Sequence, residues 1–239
     1  MRDVIISCGH KWKDSGAVYK ISEHHDIKEV DVNWSQTLAV MASLSSVLDY
    51  SDSGFDLEAH LLVPKNHYPG NLGGLETHEE REIFGVVTGT VEGPTVGTLS
   101  ISDRISTANE FKSILIEMHN NIFNDEKVDG CEAIIFSSKN KDGTSSESFS
   151  IANSILRELE TLGLKNRGVK EIYDRDLGEY IVPKARRPAI LHKTMYPAVI
   201  IEVGFISNPG YRERLERPAF NLAVGRKVAS AILGRARSI

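Results

Sequence analysis

The chain has 239 residues, enough for one large domain or two small ones. Its 41% hydrophobic and 26% charged content is ordinary for a globular protein, and a net charge of -5 argues against a nucleic-acid partner held by overall charge. No apolar run reaches the length of a transmembrane helix, so no membrane insertion is expected, and the two cysteines, Cys8 and Cys131, lie in apolar runs as buried thiols rather than as a disulfide framework.

Apolar runs of strand length alternate with helix-period segments. This predicts an α/β fold: a single domain, residues 1–239, with a mostly parallel twisted sheet of about six strands flanked by helices. In chain order the first strand is Asp3–Cys8, followed by a helix over Asp31–Leu48 with Trp34, Leu38, Met41, Ser45 and Leu48 at helical spacing. A strand at Asp56–Val63 precedes a Gly/Pro-rich insertion at about Pro64–Gly97, a length of loop that is usually functional or mobile and that has room for a short hairpin around Ile83–Thr90. A helix over Ser102–Phe111 leads into strands at Ser113–His119 and Gly130–Ser137. The helix over Glu147–Leu162 has a capping box, Thr144-Ser-Ser-Glu147, and a left-handed stop at Gly163. Strands at Gly168–Tyr173 and Ala198–Val203 follow, then a helix that starts at Pro218 and stops at Gly234. The arginines of this last region read as a solvated helix face.

Three of these apolar runs deliver polar groups. Pro197-Ala-Val-Ile-Ile-Glu-Val-Gly-Phe-Ile-Ser-Asn208 drives Glu202 through a buried run, which is costly unless the carboxylate is bound or does chemistry. Ile5-Ile-Ser-Cys-Gly-His10 and Ile114-Leu-Ile-Glu-Met-His119 each end in a histidine. Polar groups at the ends of three apolar strands point to a metal-centred hydrolase. Each also has a bland reading: a histidine at a strand end is more often structural, Glu202 can be a satisfied core carboxylate, and Glu29, between Lys28 and Asp31, can be a solvated helix start. Glu23, Asp26 and Asp31 compete with Glu29; His24 and His25 read as loop residues.

Five segments in order resemble one family. Gly9-His10, Asp14-Ser-Gly-Ala17 and Glu29-Val-Asp-Val-Asn33 form the first; Ser102-Asp-Arg-Ile-Ser-Thr-Ala-Asn109 and Ile116-Glu-Met-His-Asn-Asn121 form its middle; Asn166-Arg-Gly-Val-Lys170 and Pro197–Asn208 close it. Together they resemble the zinc-dependent N-acetylmuramoyl-L-alanine amidases of the amidase 3 family. The resemblance implies a zinc ion held by His10, Glu29 and His119, with Glu202 as the catalytic carboxylate and Asn121 and Arg167 near the substrate. Two imidazoles, one carboxylate and an open position make a known catalytic zinc set. The reaction implied is hydrolysis of the amide between N-acetylmuramic acid and L-alanine, so the partners are the peptidoglycan stem peptide and the muramoyl sugar.

The chain departs from the family pattern in two places. The usual Asp-Pro-Gly-His-Gly-Gly opening is Ser7-Cys-Gly-His-Lys-Trp12 here, which removes an acidic residue that would orient His10 and adds bulk at Lys11 and Trp12. Glu117 and Met118 stand before His119 where the family has smaller residues, altering the pocket wall. With no visible leader or wall-binding module, the expected setting is a phage or prophage endolysin, made in the cytoplasm and released to the wall by other proteins. Two other readings stay open: a degenerate amidase fold acting as a peptidoglycan-binding or virion module, and a related metallohydrolase that cuts another amide.

Overall fold

The computed structural model describes residues 3–10, 15–23, 25–48, 59–62, 100–137, 146–172 and 188–236. The first strand, β1 (Val4–Cys8), is buried along its whole length. It is followed by an antiparallel hairpin of β2 (Val18–Ser22) and β3 (His25–Lys28), which sequence patterning missed because β2 is mostly exposed and lacks a buried face. The hairpin feeds directly into α1 (Glu29–Leu48), two residues earlier than predicted, and β4 (Ala59–Leu62) follows. Next come α2 (Ile101–Glu110) and β5 (Ile114–Asn121), then β6 (Cys131–Ile135), α3 (Glu147–Glu160) and β7 (Asn166–Glu171). The chain closes with a one-turn helix α4 (Ala189–His192), β8 (Ala198–Phe205), α5 (Pro209–Leu215) and α6 (Pro218–Ala236). The predicted insertion at 64–97, with its hairpin at 83–90, lies outside the described residues.

All six predicted strands form one sheet in the order β4-β1-β5-β8-β6-β7. The strands β4, β1, β5 and β8 are parallel, while β6 pairs antiparallel with β8 and parallel with β7. The sheet is thus mostly parallel, with one edge pair reversed. Glu132 on β6 stands directly opposite Glu202 on β8 as a result.

Strand alternation divides the sheet into two faces with different duties. Val4, Ile6, Ile114, Ile116, Met118, Val199, Ile201 and Val203 enter the larger core, which α1, α3 and α6 cover. Ile5, Leu115, Ala198 and Ile200 enter a smaller core under α2 and α4. Along β5 the second face continues from Leu115 to Glu117 and His119, and along β8 from Ile200 to Glu202. The smaller cluster ends where these polar groups begin.

Local signals shifted in two places. The capping box expected at residues 144–147 is not the one observed. Ser146 caps α3 by accepting from the Phe149 amide, and the reciprocal box forms at α2 between Ser100 and Asp103. Gly163 does adopt the left-handed stop, at φ 75°. Helix α6 runs through Gly234 to Ala236 rather than stopping there. Both cysteines are buried and free. Among the described residues no helix is long and apolar enough to cross a membrane.

Helices α1 and α6 touch at backbone distance. A Cβ on Gly225 would sit 2.3 Å from the Ala39 carbonyl carbon and 2.5 Å from its Cβ. Gly225→Ala gains about 1 kcal/mol of helix propensity but costs up to about 3 kcal/mol of overpacking, because a backbone cannot rotate aside. We expect a net loss of about 2 kcal/mol, measured by denaturant unfolding.

Candidate active site

The site assembles at the carboxyl ends of the parallel strands, where α/β sheets carry their chemistry. His10 follows β1 by two residues and adopts φ 66°, a left-handed conformation that non-glycine residues seldom occupy. His119 lies near the end of β5, and Glu202 faces it in register on β8. Glu29 arrives from the other side as the first residue of α1. The hairpin places it there: the Glu29 amide donates to the Ala17 carbonyl at 2.8 Å, and the Ala17 amide donates back to Glu29 Oε2 at 2.9 Å. Among the acidic competitors Glu23, Asp26 and Asp31 are exposed, whereas Glu29 is buried.

Glu29 bridges both histidines. Its Oε2 lies 3.1 Å from His10 Nε2 and its Oε1 lies 2.9 Å from His119 Nδ1. Ligand atoms of His10, Glu29 and His119 all fall within 4.8 Å of one another. Two glycines make the close approach feasible. A Cβ on Gly9 would fall 2.3 Å from the His119 ring, and one on Gly16, itself at φ +65°, would fall 2.5 Å from the His10 ring and 2.6 Å from Glu29 Oε2.

A buried polar network supports the trio from behind. Asn33, one turn along α1, donates to Gly9 O at 3.1 Å and to Glu29 Oε1 at 3.3 Å. Asn120 donates its side-chain amide to Asn33 Oδ1 at 2.8 Å and to Gln36 Oε1 at 2.9 Å, while its backbone amide donates to Glu29 Oε1 at 3.3 Å. The Tyr211 hydroxyl donates to Asn120 Oδ1 and accepts from Gln36 Nε2. These satisfied amides are what allow polar residues in a core position and keep Glu29 in a single orientation.

The electrostatics are those of a site with too much negative charge for its size. Burial pushes the Glu29 carboxyl up, but hydrogen bonds from His10 and His119 outweigh it and hold the group far below the usual carboxylate range. Burial pushes His119 down, but hydrogen bonds to Glu117 and Glu29 outweigh that and raise it to about 10. Glu202 is raised to about 7, chiefly by burial, and its Oε2 is buried without a hydrogen-bond partner among the described residues. A nitrogen–oxygen donor set that demands a positive charge, next to a carboxylate oxygen with no partner among the described residues, suits a divalent cation with a water beside it. His10, Glu29 and His119 therefore fit a metal ion.

Linkage gives the metal-free chain a defined pH optimum. The depressed Glu29 contributes stability above its ordinary value of 4.5 and loses it as pH falls through its folded value. The raised His119 contributes fully below 6.5 and loses it as pH rises through about 10, and the raised Glu202 adds to the alkaline loss through about 7. We expect the metal-free protein to show its highest Tm near pH 4.5, because the Glu202 contribution is complete only below that value, and a falling Tm from there through about 7 and on toward pH 10, read by calorimetry in chelator.

The trio opens into a cavity of about 340 Å³ lined also by Glu117, Asn121 and Glu202, with Ile101, Ile122, Ile134, Ile190 and Ile200 as apolar walls. Asn121 thus reaches the cleft, while its Oδ1 accepts from the Ile122 amide at 2.8 Å. Arg167 is placed elsewhere: its Nε is 2.8 Å from Glu132 Oε2, its guanidinium lies 5.1 Å from the centre of the Phe205 ring, and it does not line the cavity. Cys8 is a buried thiol raised to about 12 by burial, unsuited to ligation. Lys11, Trp12 and His24 lie outside the described residues. His192 Nδ1 donates to the Pro188 carbonyl at 3.0 Å, a local contact.

Glu117 is the site residue that sequence reading undervalued. It is buried and ion-paired to the buried Arg104, with Oε2 3.2 Å from His119 Nε2. The argument that singled out Glu202, a carboxylate inside an apolar run, applies equally to Ile114-Leu-Ile-Glu-Met.

The model of the N-acetylmuramoyl-L-alanine amidase family called amidase 3 matches residues 79–234, more than half of the chain. No curated protein sequence matches it. Among solved structures, Cwp6 from Clostridium difficile superposes with a TM-score of 0.67 at 20% identity over 98% of this chain and 29% of Cwp6, so the chain spans less than a third of that protein. The catalytic domain of CwlV, an N-acetylmuramoyl-L-alanine amidase from Bacillus (Paenibacillus) polymyxa var. colistinus, gives 0.62 at 22% identity over 98% of each chain. An N-acetylmuramoyl-L-alanine amidase from Clostridium difficile 630 gives 0.64 at 18% identity over 99% of this chain and 97% of that one. At these identities the structural likeness is one of fold, and the family match carries the assignment: the chain belongs to the amidase 3 family of N-acetylmuramoyl-L-alanine amidases.

Proposed function

We propose that this chain is a zinc-dependent hydrolase of the amide bond between the lactyl group of N-acetylmuramic acid and the L-alanine of the peptidoglycan stem peptide. The observation that carries the reading is the convergence of His10, Glu29 and His119 beside the buried Oε2 of Glu202, which has no hydrogen-bond partner among the described residues. The retained trio and the retained carboxylate favour this over a non-catalytic wall-binding module.

His10, Glu29 and His119 would hold the ion. When bound, zinc supplies Lewis acidity, polarising the scissile carbonyl and acidifying a water. Glu202 would take a proton from the attacking water as its oxygen bonds to the carbonyl carbon and return it to the leaving nitrogen as the C–N bond breaks, so the acyl side leaves as a carboxylic acid that then ionises and the peptide side as an amine. Burial raises the proton affinity of Glu202 in the metal-free chain, and a bound dication offsets that rise, leaving a carboxylate able to accept a proton near neutral pH. Ile101, Ile122 and Ile200 give the cavity beside Glu202 an apolar wall.

Mass spectrometry of digested peptidoglycan tests the specificity. Intact stem peptides with free L-alanine amino groups, alongside glycan strands bearing lactyl carboxylates, are the expected products. Fragments that keep the lactyl–alanine bond would assign the chain to a different amide.

A further inference from the structure

Resting on the trio as the metal site, we propose that Arg104 and Glu117 form a buried relay that sets the orientation and tautomer of His119. Glu117 accepts from Nε2–H and thereby commits Nδ1, on the Glu29 side, as the nitrogen that would give its proton up and bind the metal. Glu117 is a positioning residue: it touches His119 on the side away from the His10–Glu29–His119 donor set.

Four observations define the relay. His119 Nδ1 lies 2.9 Å from Glu29 Oε1, and Nε2 lies 3.2 Å from Glu117 Oε2, so each ring nitrogen has its own carboxylate. The other oxygen of Glu117 accepts from Arg104 Nη1, and the same nitrogen donates to Cys8 O at 3.1 Å, tying α2 to the end of β1. Gly9 closes the third side, with no room for a Cβ against the ring. Arg104 and Glu117 are only 6% and 5% exposed, so the pair is held without competition from water.

A buried ion pair is a poor device for stability. Its desolvation cost rivals its attraction, and apolar replacements of the same shape are often neutral or stabilising. The pair in this position is better explained by what its free oxygen does. A carboxylate on the far nitrogen of a metal-bound imidazole fixes the tautomer and increases the donor strength of the near one, and losing such a partner typically costs 10–100-fold in metal affinity.

The test uses the full chain. The double variant Arg104→Met/Glu117→Met removes the acceptor without stranding a charge. We expect it to keep the wild-type circular dichroism spectrum and to bind Zn2+ roughly 10–100-fold more weakly in competition with a chromophoric chelator. Zinc affinity equal to wild type in the folded double variant overturns the relay. Nitrogen-15 shifts of the zinc-loaded wild type decide the matter independently of any variant. His119 protonated at Nε2 and metallated at Nδ1 supports it, and the reverse tautomer overturns it. A wild-type chain that binds no zinc defeats the metal-site reading itself, an outcome separate from a relay that fails in a chain that does bind.

Discussion

Glu202→Gln is expected to lower the rate of muropeptide release by roughly 10²–10⁴-fold, the range general acid–base catalysis supplies, while leaving zinc binding in place. The substitution is close to isosteric, and the Oε2 it replaces has no hydrogen-bond partner to lose among the described residues, so the fold gives no reason for collapse. A glutamine can neither take the water's proton nor hand one to the leaving amine. Turnover should therefore vanish with kcat, not with KM, and titration calorimetry should still report one zinc per chain. Turnover at the wild-type rate would remove Glu202 from the mechanism. The same residue sets the acid limb of the pH profile. It must be ionised to act; burial raises it to about 7 in the metal-free chain, and a bound dication draws it back toward the ordinary 4.5. Activity in the zinc-loaded protein should rise with pH across that interval, and Glu202→Gln should erase the limb along with the rate.

The second large effect belongs to Glu29. Every neighbour of its carboxylate is a donor or an imidazole nitrogen: His119 Nδ1 at 2.9 Å, Asn33 Nδ2 and the Asn120 amide at 3.3 Å, the Ala17 amide at 2.9 Å and His10 Nε2 at 3.1 Å. Glu29→Gln puts an NH₂ against one half of that ring, donor against donor, and removes the charge that both histidines face. Breaking a buried charge pair by changing one partner costs about 3–5 kcal/mol, so the metal-free variant should unfold at clearly lower denaturant. Zinc affinity should fall by roughly 100-fold or more, since a direct ligand outweighs the 10–100-fold cost of losing an outer partner. A Glu29→Gln chain with native zinc affinity would show that the ion sits elsewhere. The two substitutions also separate the roles: one should abolish chemistry and keep metal, the other should lose metal and stability together.

Much of the fold was legible because period and burial agree. The runs that became β1, β5 and β8 are apolar on both faces, as strands in the middle of a parallel sheet must be, and their lengths exclude helices. What escaped notice had weaker local signals. The β2–β3 hairpin buries little, so nothing in its pattern marked it, although it is the element that delivers Glu29. The Ser146 cap replaced the expected box because serines at 145 and 146 offer the helix several possible starts, and which one caps is settled by where α3 docks. Helix α1 showed an apolar stripe through Trp34, Leu38 and Met41, yet Asn33, Gln36 and Thr37 are buried too, since the sheet covers one side and α6 the other. Asn33 and Gln36 read as solvent-facing until their hydrogen-bond partners, Asn120 and Tyr211, are known.

By itself the amino-acid order determined the six strands of the main sheet, the faces of the long helices, the family, and His10, Glu29, His119 and Glu202 as the residues to watch, because each of these rests on local pattern or on segments that keep their order. Only the tertiary structure decided which atoms meet. It placed Glu29 rather than Glu23, Asp26 or Asp31 against both imidazoles, turned Arg167 toward Glu132, and packed Glu117 and Arg104 against the far side of His119. Those outcomes depend on strand register and helix docking between residues up to about 100 positions apart, and free energies of that kind are shared across the chain and not encoded at any one position.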